Sequence, residues 1–121
     1  MNEFSFERLE AYQRSRVLIK EVYRLIEYFP NNEKYSLVQQ LQRSIVSVAS
    51  NIAEGSGRLS YKEKVHFLGI AYGSLMEAFC QLTIAIDLGY IQYFQFEAIK
   101  PIFFEVSRLI NGLKKSFADK Y

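Results

Sequence analysis

The sequence predicts an all-α protein, folded as an antiparallel up-down-up-down four-helix bundle. Along four segments apolar residues recur at alternating spacings of three and four, the pattern of helices that bury one face. Turn-forming residues separate these segments near Pro30, Gly57 and Gly89. Half of the 121 residues are hydrophobic, which is enough for one buried core. We therefore expect a single domain over residues 1–121. Its helices are expected at residues 5–29, 34–55, 61–88 and 93–117.

The first two predicted helices end at helix-breaking residues. Pro30 ends the first, because proline lacks the N–H that a helix needs and disfavours helical backbone at the preceding residue. Gly55-Ser56-Gly57 ends the second. The buried face of the first helix is expected to contain Ser15, Leu18, Ile19, Val22, Leu25, Ile26 and Phe29. The buried face of the second is expected to contain Val38, Leu41, Ile45, Val48 and Ile52.

The third helix has a start signal and a stop signal, and the fourth contains a proline. Ser60 and Glu63 form a capping-box pattern, in which each side chain bonds a backbone N–H left unpaired at the helix start. Gly89 offers a left-handed stop, and Pro101 should kink the fourth helix or mark its restart. The inner face of the third helix is expected to contain Leu68, Ala71, Leu75, Ala78, Phe79, Leu82 and Ile86. The fourth helix is expected to bury Phe96, Ile99, Phe103, Val106, Ile110, Leu113 and Phe117. Short connections require antiparallel neighbours, which places both chain ends at one pole.

Composition argues against several classes of protein. Uninterrupted apolar stretches such as Ile84-Ala85-Ile86 are far shorter than the roughly 20 residues that span a bilayer, so no membrane is expected. The first residues carry no long apolar segment of a secretory signal. The single Cys80 cannot form an intramolecular disulfide, which favours the cytoplasm, and we expect it to be buried as a small hydrophobe. The net charge of +2 is interspersed along the chain, unlike the one-sign face of a strong nucleic-acid binder.

The sequence contains no recognisable catalytic or cofactor machinery. His66 and Cys80 lie fourteen residues apart on one predicted helix, about 21 Å along its axis, so they cannot form a dyad within a subunit. Glu63-x-x-His66 has the spacing used in di-iron bundles, but such sites need the motif twice and the chain has one histidine. Gly55-x-Gly57 lacks the rest of a phosphate-binding loop. We expect no enzyme activity, no cofactor and no metal, with His66 solvated or at an interface.

Two glycines in the third helix are candidates for a subunit interface. Gly69 and Gly73 lie off the inner seam, where each costs about 1 kcal/mol relative to alanine. Close approach of another helix would explain them, and so would chance surface glycines. The exposed apolar residues Ile70, Met76 and Ile84 favour contact.

A set of residues from Phe29 to Ile91 is similar to a known family. The matching positions are Phe29-Pro30, Glu33, Tyr35, Leu37, Gln40-Leu41, Arg43, 50–55, Gly57-Arg58, Ser60, Phe67-Leu68, Ile70-Ala71, 73–75 and 88–91. They resemble the bacterial four-helix-bundle family first noticed as reading frames within intervening sequences of 23S ribosomal RNA genes. The departures are Tyr12 for Trp, Ser36 for Gly, Gln42 for Arg and Ala49 for Pro, and the lost arginine weakens a basic surface.

The resemblance implies a non-enzymatic four-helix protomer that assembles into a ring, a pentamer. The family is also similar to the accessory proteins of diversity-generating retroelements, basic pentameric barrels that work with a reverse transcriptase and nucleic acid. We therefore expect an oligomeric scaffold that contacts RNA or an RNA-handling protein; the alternative is a bundle that binds only proteins. The candidate subunit interface is Asn51, Glu54, Gly69 and Gly73.

The candidate nucleic-acid contact is at the pole that holds the second turn and both chain ends. It consists of Arg58, Lys62, Lys64, Lys114 and Lys115. Acidic residues at the same pole nearly balance the charge, which for a monomer favours a solvated mixed-charge surface. Repetition around a symmetry axis would multiply the phosphate contacts.

Overall fold

Four long helices make up the computed structural model, which describes residues 3–121 and has no strand in that range. Their bounds confirm the number, order and class of elements expected from the sequence. Two single 3₁₀ turns, Ser5–Arg8 and Asn31–Glu33, precede the first and second helices. The helices are α1 Glu10–Ile26, α2 Leu37–Ser56, α3 Tyr61–Asp87 and α4 Tyr93–Ala118.

Each helix packs against two others, which makes the molecule a four-helix bundle. α1 contacts α2 and α4, and α3 contacts α2 and α4, so the order around the bundle axis is α1, α2, α3, α4. All five seam residues predicted for the second helix are buried. In the other helices the outermost residues of the predicted faces, including Ile19, Phe79 and Leu113, are only partly buried and pack at the edge of the core. The 3- and 4-residue periodicity therefore identified the buried faces correctly but made them too wide.

The first two helices begin later than the sequence predicted. Leu9 has an extended backbone (φ −69°, ψ 126°), so residues 5–8 form a separate turn. That turn is fixed by the Glu7 carboxylate, which accepts a hydrogen bond of 2.7 Å from the Phe4 N–H. Before α2, the Glu33 carboxylate accepts from the Leu37 N–H at 3.1 Å. Residues 34–36 therefore belong to the connection, and the prediction of a helix from residue 34 was wrong there.

Gly55 has a different role from the one its sequence context suggested. It lies inside α2, which continues to Ser56, and it is buried against α3. A Cβ on Gly55 would lie 3.0 Å from the Cβ of Phe67. This glycine therefore permits close approach of two helices instead of ending one.

The other helix-end signals are partly confirmed, since α1 ends at Ile26 and not at the predicted residue 29. Gly89 has φ +78°, the left-handed conformation expected at the end of α3. Ser60 Oγ accepts from the Glu63 N–H at 3.1 Å, but the Glu63 carboxylate bonds the Ser60 hydroxyl, so only half of the predicted capping box forms. Pro101 lies within α4, so no second helix starts there.

Polar side chains connect α2 to α3 beside the core. The buried Ser44 hydroxyl donates to Gln81 Oε1 at 2.8 Å, and the hydroxyls of Ser47 and Ser74 lie 2.9 Å apart. Because these groups pair across the interface, their burial leaves no hydrogen-bonding group unsatisfied. Such directional contacts fix how the two helices align.

The outer side of α3 contradicts one expectation from the sequence, the burial of Cys80. Cys80 is exposed, not buried, because it lies on the side of α3 facing away from the core. α3 is also long and apolar enough, by length and composition, to cross a membrane, a property that core helices of soluble bundles share. The sequence-based expectation had considered only uninterrupted apolar runs.

Candidate assembly and nucleic-acid surfaces

One pole of the bundle brings together the end of α2, the start of α3 and the end of α4. Lys64 of α3 donates from Nζ to the carbonyl oxygen of Ser56, at the end of α2, over 2.8 Å. The rings of Tyr61 and Phe117 are 5.8 Å apart, which joins α3 to α4. The N-terminal turn lies at the same place, since the Ser5 and Ser56 hydroxyls are 3.3 Å apart.

Arg58, the first of the candidate nucleic-acid contacts, is held against its own bundle. Its Nη2 donates to Glu54 Oε1 at 2.7 Å, one helical turn earlier. Its guanidinium carbon lies 4.4 Å from the centre of the Phe67 ring, close enough for a cation–π interaction. Glu54, a candidate interface residue, is therefore the partner of Arg58 in this protomer.

Two of the candidate lysines are half-buried between helices. Lys64 lies 5.8 Å from the Phe117 ring centre in addition to its bond with Ser56. Lys114 reaches towards α3, where a Cβ on Gly69 would lie 4.0 Å from its Nζ. The Lys64 ammonium group therefore has structural contacts as well as a charge, and the Lys114 ammonium group lies beside Gly69 of α3.

Lys62 and Lys115 are the exposed members of the candidate set. Among residues 3–121 the ion pairs are Glu3–Arg8, Arg14–Glu105, Glu21–Arg24 and Glu54–Arg58, and they include none of the lysines. Two of the acidic residues at this pole are thus already neutralised by arginines. Because each pair also uses an arginine, the charge that remains here is five lysines against the four carboxylates of Glu7, Glu10, Glu63 and Asp119.

Aromatic rings lie among these cations, which was not predicted from the sequence. Lys120 Nζ is 5.5 Å from the Tyr61 ring centre, and Tyr61 in turn contacts Phe117. We call Tyr61, Lys62, Lys64, Lys114, Lys115, Phe117 and Lys120 the basic pole. Phe117 could only be assigned to the core seam from its spacing, because its neighbours come from α3.

The four candidate interface residues do not form one cluster. Asn51 donates from Nδ2 to both the carbonyl and the hydroxyl oxygen of Ser47 at 2.9 Å, beside the α2–α3 contact. Gly69 faces Lys114 of α4, on the other side of α3. Gly73 is exposed, and a Cβ there would meet nothing within 4 Å. No close helix approach within the protomer therefore explains Gly73.

An apolar strip follows the outer side of α3 and its groove with α4. Ile70, Met76 and Ile84 are exposed, as the sequence suggested. Between Met76 and the exposed Phe104 of α4 lies a cavity of about 170 Å³. Tyr72, Phe79, Phe103 and Ser107 complete its lining. Exposed apolar surface of this kind is typical of a protein contact.

The opposite pole exposes aromatic side chains that the sequence did not single out. Tyr28, Tyr35 and Phe94 are all largely exposed. Tyr28 and Phe94 line a groove of about 330 Å³ between α1 and α4, with Glu21 and Arg24 at its edge. Each aromatic residue lies next to a turn, where neither helical nor strand periodicity applies.

No three His, Cys, Asp or Glu side chains within residues 3–121 are grouped so that they could hold a metal ion. His66 is exposed and stacks edge-on against Phe67, with ring centres 5.4 Å apart.

Comparison with known proteins identifies the family and supports the fold. The family model for the 23S rRNA-intervening sequence protein matches residues 7–112. A solved structure from Bacteroides thetaiotaomicron, a protein of unknown function from the S23 ribosomal protein family, has a TM-score of 0.78. It is 24% identical, and the alignment covers 87% of this chain and 95% of that one. No curated protein matches the chain.

Proposed function

The chain belongs to the 23S rRNA-intervening sequence protein family, and we propose that it is a non-enzymatic, homo-oligomeric scaffold whose basic pole contacts RNA. The observation that carries this proposal is the state of the charges at the basic pole. Glu54 and Glu3 are paired with arginines, which leaves the five lysines of the pole against four acidic residues, Glu7, Glu10, Glu63 and Asp119, that are also in none of the ion pairs found among residues 3–121. Unpaired lysines are the groups that neutralise phosphates.

The aromatic rings of the basic pole add a second kind of contact. Tyr61 is partly exposed at the start of α3, next to Lys62 in the chain and in contact with Lys120. Aromatic side chains among cations are typical of surfaces that bind unpaired nucleotides, because bases stack on rings while ammonium groups bind phosphates. The combination favours binding to unpaired nucleotides of RNA over binding to the uniformly charged backbone of a duplex.

Self-association would raise the affinity of such a small surface for RNA. A single pole supplies only a few phosphate contacts, but a ring repeats them around its axis. The apolar strip of α3 supports assembly, since Ile70, Met76 and Ile84 are exposed on a helix whose other side is already buried in the core. We propose a pentamer, as the family resemblance implies.

Sedimentation equilibrium tests the assembly. At tens of micromolar we expect a species several times the protomer mass of 14.2 kDa. Gly73→Leu should weaken association, because a bulky side chain would project from an open position on the outer face of α3. A 14 kDa monomer for the wild type would contradict the proposal.

Salt-dependent binding tests the contact with RNA. We expect the wild type to bind structured ribosomal RNA fragments at 50 mM salt, with an affinity that falls steeply as salt is raised. Lys62→Ala/Lys115→Ala should weaken binding about tenfold and reduce the slope of log affinity against log salt by roughly one to two. These two lysines are chosen because Arg58 and Lys64 also have structural contacts within the bundle.

A matched control comes from the opposite pole and from α1. Lys20→Ala/Lys34→Ala removes the same charge from two exposed lysines outside the basic pole. We expect this variant to retain most of the affinity. No binding by the wild type at 50 mM salt would eliminate the RNA proposal, and equal losses in the two double variants would show that the basic pole is not the site.

The alternative is a scaffold that binds only proteins, and one observation favours it. The opposite pole exposes Tyr28, Tyr35 and Phe94, and aromatic residues are enriched at protein interfaces. Pull-down with wild type and with Tyr28→Ala/Phe94→Ala would test it. A partner lost only in that variant, together with no RNA binding, would favour the alternative.

A further inference from the structure

The turn between α2 and α3 presents a leucine with nothing around it. Leu59 is 98% exposed, the highest value among the large hydrophobic residues. Turns are normally polar, and an apolar side chain in water is unfavourable in proportion to its exposed area. Leu59 adds nothing to the folding of its own bundle, so its protomer gives no reason for a leucine at this position.

An apolar groove lies at the same end of the bundle, on the other side. Its volume is about 280 Å³, several times the roughly 30 Å³ that one water molecule occupies in the liquid. The residues that line it are Leu9, Glu10, Ala11, Arg108, Leu109, Gly112 and Leu113. Leucine and alanine side chains form most of its wall, which suits an apolar occupant.

The mouth of this groove is open because of a glycine. Gly112 lies within α4, where glycine costs about 1 kcal/mol relative to alanine. A Cβ at Gly112 would meet nothing within 4 Å, so the protomer itself does not require a glycine there. The approach of an external group to α4 would explain it.

Charges beside the leucine complement those beside the groove. Glu54 and Arg58, which precede Leu59 in the chain, form an ion pair, and Glu10 and Arg108 line the groove. Within residues 3–121 neither Glu10 nor Arg108 takes part in an ion pair. A leucine entering the groove would bring the Glu54–Arg58 ion pair towards Arg108 and Glu10, which carry the opposite charges.

From these observations, and resting on the self-association proposed above, we propose that Leu59 of one copy inserts into the α1–α4 groove of a second copy. The leucine projects at the α2–α3 edge, and the groove lies at the α1–α4 edge, which is opposite in the order of the helices. The contact is therefore head-to-tail, joining two different surfaces, and leaves one free leucine and one free groove on every pair.

Mixing two defective variants tests this contact. Leu59→Glu keeps the groove and loses the leucine, whereas Gly112→Glu blocks the groove and keeps the leucine. Neither change removes a contact within the protomer, since both positions face open space. At a concentration where the wild type assembles, we expect each variant alone to sediment as a monomer, with association weakened roughly tenfold or more. An equimolar mixture should form dimers that grow no further, because only one working contact remains.

Controls carry the same substitution at exposed positions outside the contact. Leu88→Glu places the charge at an exposed leucine of the other pole, and Asn111→Glu places it beside Gly112. Both should assemble like the wild type. A wild-type oligomer that Leu59→Glu leaves intact, or a mixture that stays monomeric, would overturn this contact while leaving self-association in place. A monomeric wild type would overturn both.

Discussion

Gly55 shows how a single position can set the distance between two helices. Its missing side chain lets α2 approach α3, where the Phe67 Cβ and the Lys64 carbonyl oxygen would lie 3.0 and 3.4 Å from an added Cβ. The neighbouring atoms belong to the backbone or are bonded to it, so they cannot move without shifting a helix. The restriction is therefore on the packing of α3 and not on the conformation of Gly55 itself.

We predict opposite effects of alanine at two helical glycines. Gly55→Ala should lower the free energy of unfolding by about 1 to 3 kcal/mol, because it overpacks the α2–α3 contact. Gly73→Ala should raise the same quantity by up to about 1 kcal/mol, since the new methyl group meets nothing and alanine favours helix. Urea unfolding of the two variants measures both. A neutral Gly55→Ala would show that α3 shifts freely.

A hydrogen bond between a tyrosine hydroxyl and a glutamate carboxylate joins the turns at the pole opposite the basic pole. The Tyr90 hydroxyl donates to Glu33 Oε1 at 2.8 Å. This bond, followed by the one from the Leu37 N–H, lowers the pKa of Glu33 below 4.5. The same bond, with burial and the charge of Glu33, raises the pKa of Tyr90 above 10.0.

These pKa shifts predict how Tyr90→Phe depends on pH. Because the pKa of Glu33 is lowered, its contribution to stability is present above pH 4.5 and is lost as the pH falls through the lowered pKa. The raised pKa of Tyr90 gives a contribution that is complete below pH 10.0 and is lost as the pH rises through the raised value. Tyr90→Phe should therefore destabilise the protein at pH 7 more than at pH 3. Urea midpoints of the wild type and the variant at both pH values, with Tyr28→Phe as control, test this prediction. An equal loss of stability at pH 3 and at pH 7 would contradict it.

At the scale of the elements, α4 tolerates a proline in its interior. Pro101 cannot donate to the carbonyl oxygen one turn earlier, yet Tyr93–Ala118 is one helix. The residue is exposed, so its ring does not disturb the core. The packing of Phe96, Ile99 and Phe103 on both sides of the proline holds the helix together.

Replacement of this proline should stabilise the bundle. Pro101→Ala restores a helical hydrogen bond and a good helix former at an exposed position, which we expect to raise the free energy of unfolding by about 1 to 3 kcal/mol. Thermal and urea unfolding measure the gain. Loss of stability instead would mean that the core of α4 is built around the proline.

The elements also show what the sequence could and could not predict. Seams such as Val38 to Ile52 were predictable, because helical periodicity is local and the core imposes it directly. The start of α1 was not, since it depends on the Glu7 carboxylate reaching back to the Phe4 N–H. The role of Gly55 was missed for another reason: its neighbour Phe67 comes from a different helix.

The candidate site likewise has features that local sequence could predict and features that only the folded bundle brings together. The Glu54–Arg58 pair joins residues only four apart in the chain, although Arg58 lies beyond the end of α2, so local sequence alone brings these two charges close. The contact between Tyr61 and Phe117 joins residues 56 positions apart, so only the packed bundle brings these rings together. For that reason the sequence identified the lysines of the basic pole but not its aromatic residues.

At the scale of the whole molecule, the two ends of the bundle differ in chemistry. One end carries the basic pole, and the other exposes Tyr28, Tyr35 and Phe94. In a ring joined head-to-tail, every copy points the same way. Such an assembly would present a basic face and an aromatic face, so the RNA-binding and protein-binding hypotheses can each be assigned to a different side.

The cyclic order of the helices also has a kinetic consequence. Each of the contacts α1–α2, α2–α3 and α3–α4 joins helices adjacent in sequence, whereas α1–α4 and the contact of the N-terminal turn with α2 bring distant parts of the chain together. Chains dominated by such local contacts fold in microseconds to milliseconds, since little loop entropy is lost before a contact forms. We expect the protomer to fold mostly within the mixing time of a stopped-flow instrument, well before copies meet. A protomer that took seconds to fold would show that closure of α1 onto α4, and not the formation of helical hairpins, limits the rate.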